Sequence, residues 1–141
     1  MRTKILQHPA LSRAVHQLFS AHFNAALPIL FGGDRLLCCD EGSAVLDDAG
    51  KIVALATIAP NGEEESGTPT IVGVYVVPES RGQGLGLAVF RNTLVRCQEQ
   101  GFERVRVDVI STGMAKIIDS LTDTEHAVLE IHEAGRMLDM F

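Results

Sequence analysis

The stretch from Val74 to Gly86, VYVVPESRGQGLG, constrains this chain more than any other. A β-branched and aromatic run is stopped by Pro78, three polar or charged residues follow, and glycine then takes every second position at Gly82, Gly84 and Gly86. Proline removes a backbone donor and fixes φ, so a strand has to end there. Glycine permits positive φ and lets a backbone come close to other groups. Beyond the glycines, Leu85, Val89, Asn92 and Arg96 recur along one stripe with Ala88, Phe90, Leu94 and Cys97 beside it, which predicts an amphipathic helix from about Gly84 to Gln100. Strand, glycine loop and helix N-terminus in direct succession gather unpaired N–H groups at the positive end of a helix dipole. That is a seat for a phosphate or pyrophosphate. A tight turn between strand and helix would use the same glycines, so the pattern alone leaves both readings open.

What surrounds this stretch is bounded by length and composition. At 141 residues the expectation is a single domain over residues 1–141, with room for a core. Hydrophobic residues make up 46% and charged residues 21%, which excludes a disordered tail or a coiled coil. With 12 Lys and Arg and a net charge of −6, a nucleic-acid partner is not expected, so any bound anion is held locally. No apolar run reaches membrane-spanning length and the N-terminus does not read as a signal peptide, so the expected location is cytoplasmic, without a membrane partner. Cys38, Cys39 and Cys97 cannot all pair within one chain and read as free thiols.

The remaining segments alternate regularly. Thr3 to Leu6 reads as a short strand, and Pro9 opens a helix through about Phe23 with Leu11, Val15, Leu18 and Phe19 on one face. Ser43 to Leu46 and Ile52 to Ala59 form an antiparallel hairpin around Asp48, Ala49 and Gly50. The acidic PNGEEESGTP is an exposed connection to a strand over Thr70 to Val77. After the helix, Gly101 stands at C′ with Phe102 as its apolar contact, and RVRVDVI alternates as a strand. Ser111 or Thr112 caps a short helix from Met114 to Leu121, and AVLEIHEAGRMLDMF reads as two strands around Gly135.

Neither nucleotide-binding loop fits. No Gly-Lys-Ser/Thr follows the glycines, and Leu87 or Val89 stands where a dinucleotide fingerprint needs a small residue. Strand, proline, arginine, glycines and helix together instead resemble the acetyl-CoA-binding motif of the GCN5-related N-acetyltransferases (GNAT). The likeness extends to VLDDAGKIVALATI and EQGFERVRVDV, and more loosely from Thr3 to Phe141. It implies an α/β fold of the α+β kind, with a mixed, mostly antiparallel central sheet, helices on both faces and a strand splay at the acyl-CoA site. It further implies that N–H groups from Gly82 through Gln83, Gly84, Leu85 and Gly86 to Leu87 bind the CoA pyrophosphate. Main-chain groups of Val76 and Val77 would pair with the pantetheine arm, and Arg81 would close over the phosphates. The strands ending at Val77 and near Ile110 would splay around the thioester, with the acceptor amine entering from the other side. Acetyl-CoA is then a co-substrate, the acyl group passes directly to the amine of a small molecule or protein, and no metal is implied.

Such catalysis needs an amine deprotonated by a base or by water, an N–H donor for the oxyanion and an acid for the leaving thiolate. The oxyanion donor can come from backbone near Val76 or Val77. In the family the acid is a tyrosine in the helix after the valine-rich strand; here that helix reads STGMAKIIDSL, with Asp119 at the tyrosine's place. Tyr75, the only tyrosine, Ser111 and Asp119 are the candidate substitutes, each with an ordinary alternative: strand packing, helix capping and a solvent-facing position. His126 and His132 are expected in the terminal hairpin, Asp108 opposite the valine face, and Cys97 in the core. A non-catalytic acyl-CoA-binding or sensing module is the alternative reading. The apolar character of NAALPILFGGDRLLCC and of the C-terminal segment fits either a weakly charged acceptor cleft or a homodimer contact.

Overall fold

Alternating apolar residues make strands only where a sheet can bury one or both faces, and one sheet gathers all the strands among the described residues. The computed structural model describes residues 1–7, 9–21, 41–59, 68–109 and 111–133. Among them the order is β1 (Arg2–Gln7), α1 (Ala10–Ala21), β2 (Glu41–Leu46), β3 (Ile52–Ala59), β4 (Thr70–Val76), a 3₁₀ turn (Pro78–Ser80), α2 (Leu85–Glu99), β5 (Val105–Val109), α3 (Thr112–Asp119), α4 (Asp123–Ala127) and β6 (Leu129–Glu133). The strands lie in sequence order across a six-stranded sheet. Pairing is antiparallel from β1 to β4 and parallel across β4, β5 and β6. This is the mixed α/β architecture expected from the sequence. The segment NAALPILFGGDRLLCC with Cys38 and Cys39, most of PNGEEESGTP, and everything after residue 133 lie outside the described residues.

Strand alternation assigns the helices to opposite faces. A Cβ on Gly42 would stand 2.9 Å from Leu11 Cδ1, so Gly42 and its face of the sheet meet α1. The next residue back, Glu41, points the other way and takes Arg96 of α2 in a two-pronged pair, Nε to Oε2 and Nη2 to Oε1, both at 3.0 Å. Gln7 Nε2 donates to the same carboxylate at 2.9 Å. Glu41 is 3% exposed, and the Arg96 guanidinium holds its carboxyl below the usual carboxylate range against the opposing effect of burial. Under α2, Phe90, Leu94 and Cys97 pack against Val105, Val107 and Val109 of β5 and Met114 and Ile118 of α3. Under α1, Leu11, Ala14, Val15 and Leu18 meet Leu6, Ala44 and Leu55.

Several local expectations hold in detail. Gly50 takes φ +81° in the β2–β3 turn, where Asp47 Oδ1 accepts from the N–H groups of Ala49 and Lys51. Gly101 takes φ +91° after α2, and Phe102 N–H donates to Cys97 C=O at 3.1 Å, the six-to-one bond of a Schellman end. Cys97 is fully buried, and burial pushes its thiol up to about 12, which makes it an inert core residue.

The C-terminal part corrects the sequence reading. Asp123–Ala127, partly expected as the start of a strand, is a helical turn opened by a reciprocal cap between Thr122 and Glu125. His126 therefore sits on α4. α3 and α4 carry the chain over one face between β5 and β6, so β6 returns parallel to β5, and the second strand expected beyond Gly135 lies outside the described residues. Arg91 of α2 pairs with Glu125 at 2.9 and 3.0 Å and fastens this crossover; that pair holds the Glu125 carboxyl down to about 2. Ala88, expected beside the buried stripe of α2, is exposed, because the face that meets the sheet is Val89, Phe90, Thr93, Leu94 and Cys97.

Candidate active site

The gap at the centre of the sheet begins with one extra residue. Between β3 and β4 the register runs Thr57 with Gly73 and then Ile58 with Ile71, so Val72 is a bulge residue on β4. A bulge bends its strand and increases its twist. On its other side β4 pairs with β5 only through Thr70 with Arg106 and Ile71 with Val107, the pairs before the bulge. Past it, β4 runs to Val76 and β5 to Val109 without a shared ladder. The expected splay is thus present and has a local cause.

Val77 N–H donates to Val53 C=O at 2.9 Å, so Val77 directs its backbone groups to β3 and Val76, one residue earlier, directs its groups into the gap. Of the two residues expected to meet a pantetheine arm, Val76 has its groups on the open side. Its carbonyl accepts from Arg81 Nε at 3.0 Å, and the Arg81 guanidinium lies 5.6 Å from the Tyr75 ring centroid. Arg81 here folds back over the strand end instead of reaching across the glycine loop.

After the 3₁₀ turn, Gly82 and Gly84 take φ +82° and +75°, and Gly84 is the N-cap of α2. The first helical bond is Ala88 N–H to Gly84 C=O at 3.0 Å. Among the described residues, none of the N–H groups from Gly82 to Leu87 has a hydrogen-bond partner. No side chain caps Gly84, and the first turn carries no acidic residue. A Cβ at Gly82 or Gly84 would meet nothing within 4 Å, so the space above the loop is open, and those two positions need glycine for their backbone angle. Gly86 is different: a Cβ there would stand 3.2 Å from Ile117 Cδ1 and 3.7 Å from Val76 Cγ2, so this glycine lets α2 sit close to α3 and β4. The result is an outward-facing cluster of unpaired donors at the start of a 15-residue helix beside the strand gap.

The three candidate acids fare unequally. Tyr75 pairs with Leu55, which pairs with Ala44, so its side chain leaves β4 on the α1 face of the strand that borders the gap. It is 5% exposed, and burial pushes its hydroxyl up, opposed by the Arg81 guanidinium. It therefore carries its proton at neutral pH. Ser111 Oγ accepts the Met114 N–H at 3.1 Å, the capping role, and Asp119 is exposed at the end of α3. Asp108 is largely buried on the β5 face opposite the valines, with Arg106 Nε 3.1 Å and His132 Nδ1 3.4 Å from its Oδ1. Thr57 escaped the sequence reading. Its hydroxyl is fully buried without a hydrogen-bond partner among the described residues, on the face of Tyr75 and in register with Gly73 at the bulge. Only the pairing of β3 with β4 reveals it. Among the described residues no group of His, Cys, Asp and Glu could hold a metal ion, and no helix is long and apolar enough to cross a membrane.

No curated protein matches this chain. Solved structures do. A GNAT family N-acetyltransferase (YhbS) from Escherichia coli in complex with CoA is 16% identical, with a TM-score of 0.63 over 95% of this chain and 76% of that one. An aminoglycoside acetyltransferase from an uncultured soil metagenomic sample, in complex with trehalose, is 24% identical, with a TM-score of 0.61 over 87% and 88%. A GNAT family acetyltransferase from Brucella melitensis in complex with acetyl-CoA is 20% identical, with a TM-score of 0.51 over 71% of each chain. At these identities the likeness is one of fold. The model of the acetyltransferase (GNAT) family matches residues 12–117, a span that runs from α1 through the glycine loop and most of α3. The chain belongs to the GNAT acetyltransferase family.

Proposed function

We propose that the chain is an acyl-CoA-dependent N-acyltransferase that takes acetyl-CoA and passes the acyl group directly to an amine of a small molecule or protein. The observation that carries this reading is the run of unpartnered N–H groups from Gly82 to Leu87, opening α2 beside the gap between β4 and β5. The CoA and acetyl-CoA held by similar structures from Escherichia coli and Brucella melitensis support it.

Bound acetyl-CoA supplies an activated acyl carbon and a thiolate leaving group. The residues of the chain do the rest. The N–H groups of the loop and first helical turn hold the pyrophosphate without needing a net positive protein. Arg81 adds its charge by releasing the Val76 carbonyl, an exposed bond that costs little to exchange for a phosphate contact. The freed carbonyl and the Val76 N–H then serve the pantetheine arm in the gap. Tyr75 is the proton donor for the thiolate; with Ser111 committed to a cap and Asp119 exposed, it alone of the three combines a retained proton with a place bordering the gap.

Release of CoA thiol from acetyl-CoA, followed across a panel of primary amines, tests the reading. Turnover is expected with at least one amine. Tyr75→Phe is expected to lower it by about 10²-fold at unchanged acetyl-CoA affinity. Bound acetyl-CoA with no amine-dependent release would instead favour the non-catalytic binding module. Full turnover in the Tyr75→Phe variant would remove that residue from the mechanism.

A further inference from the structure

A second concavity lies on the α1 face, away from the glycine loop that opens α2 on the opposite face. It measures about 1020 Å³, between α1, the edge strand β1 and the β2–β3 turn. Its floor is apolar, built by Leu6, Ala14, Leu46 and Ile52. Its rim is basic: Lys4, Arg13, His16 and Lys51 line it together, and no acidic side chain among the described residues does.

Four such groups around one groove stand out in a chain of net charge −6. Elsewhere four arginines pair with carboxylates, Arg91 with Glu125, Arg96 with Glu41, Arg104 with Glu130 and Arg106 with Asp108, while Arg2, Arg81 and Lys116 stand singly rather than grouped around one groove. Lys4, Arg13 and Lys51 have no carboxylate partner among the described residues. Of the two acids just before Lys51, Asp47 spends Oδ1 on its own turn, and Asp48 pairs with the N-terminal ammonium at 3.4 Å. Unpaired cations over an apolar floor match a ligand with the opposite arrangement, an anionic head on an apolar body. The groove has the size of a small-molecule site.

We propose that this groove binds a small amphipathic organic carboxylate, its head among Lys4, Arg13 and Lys51 and its body over Leu6, Leu46 and Ile52. The site is separate from the glycine loop and does not depend on the reaction proposed above.

Titration calorimetry with decanoate tests it, with decyltrimethylammonium as the probe of the same body and opposite charge. Decanoate is expected to bind one to one, more weakly as salt is added, and the ammonium probe is expected to give no binding. The double variant Arg13→Glu with Lys51→Glu changes exposed side chains and is expected to weaken decanoate by about tenfold or more, with Lys4→Glu acting in the same direction. Saturating acetyl-CoA should leave decanoate binding unchanged. Absence of decanoate binding, equal binding of the ammonium probe, unaltered affinity in both charge-reversed proteins, or displacement by acetyl-CoA would each overturn the assignment.

Discussion

Gly84→Asp is expected to leave the protein folded and to weaken acetyl-CoA binding by about a hundredfold or more, which is about 2.7 kcal/mol or more of binding free energy. The side chain has room, since a Cβ at Gly84 meets nothing within 4 Å, so the cost to the fold is the positive φ of +75° alone. For a non-glycine residue in the left-handed region that cost is roughly 1–2 kcal/mol. The carboxylate would sit at the N-cap of α2, where it competes for the same N–H groups and repels a pyrophosphate. Gly84→Ala separates the two effects, because it carries the backbone strain without the charge and should retain most of the affinity. Gly86→Asp would not be an equivalent test. Its side chain would enter the contact with Ile117 and Val76, so lost affinity there would report a disturbed α2 packing.

Arg96→Met is expected to produce the largest loss of stability of any single arginine change among the described residues. Arg96 answers the buried Glu41 carboxylate with two hydrogen bonds, and Gln7 alone remains when it is removed. A buried carboxylate left without its partner costs about 3–5 kcal/mol. For a chain of this size that corresponds to a fall in Tm of roughly 10–20 °C. The pH dependence has a definite sign. Glu41 is held below 4.5 and Glu125 at about 2, so both contribute stability that is complete above the ordinary carboxylate value and lost as pH falls toward their folded values. The native protein should therefore weaken in urea as pH is lowered from about 4.5 toward 2. In Arg96→Met, protonation relieves the unpaired Glu41, so the gap between variant and native protein should be widest near pH 7 and narrow in acid. A constant gap across that range would mean that Glu41 is not the group that Arg96 serves.

The local half of this architecture was legible in the sequence because its causes are local. Pro78 ends a strand, Gly84 opens a helix, Gly101 closes it and Ser111 caps the next, and each needs only its immediate neighbours. The splay followed from family resemblance, whereas its physical cause, the bulge at Val72, depends on how β3 and β4 align and leaves no mark in either strand alone. The same holds for Glu41 with Arg96, 55 residues apart, and for the orphaned hydroxyl of Thr57. The helix at Asp123–Ala127 did carry a signal, the Thr-x-x-Glu of Thr122 and Glu125. It went unread because five residues are too few to show a period and Val128, Leu129 and Ile131 beyond it read as strand. At the site, the glycine spacing pointed to an anion seat but did not separate Gly86, needed for packing, from Gly82 and Gly84, needed for their backbone angles.

The claim at the centre of this account is that the backbone amides from Gly82 to Leu87 hold the pyrophosphate of acetyl-CoA. Amide chemical shifts, followed by ¹⁵N-resolved NMR as acetyl-CoA is added, test it residue by residue. The account predicts the largest displacements at Gly82, Gln83, Gly84, Leu85, Gly86 and Leu87, with Val76 next as the strand edge that lines the gap. Saturable acetyl-CoA binding that leaves those amides unmoved would contradict it.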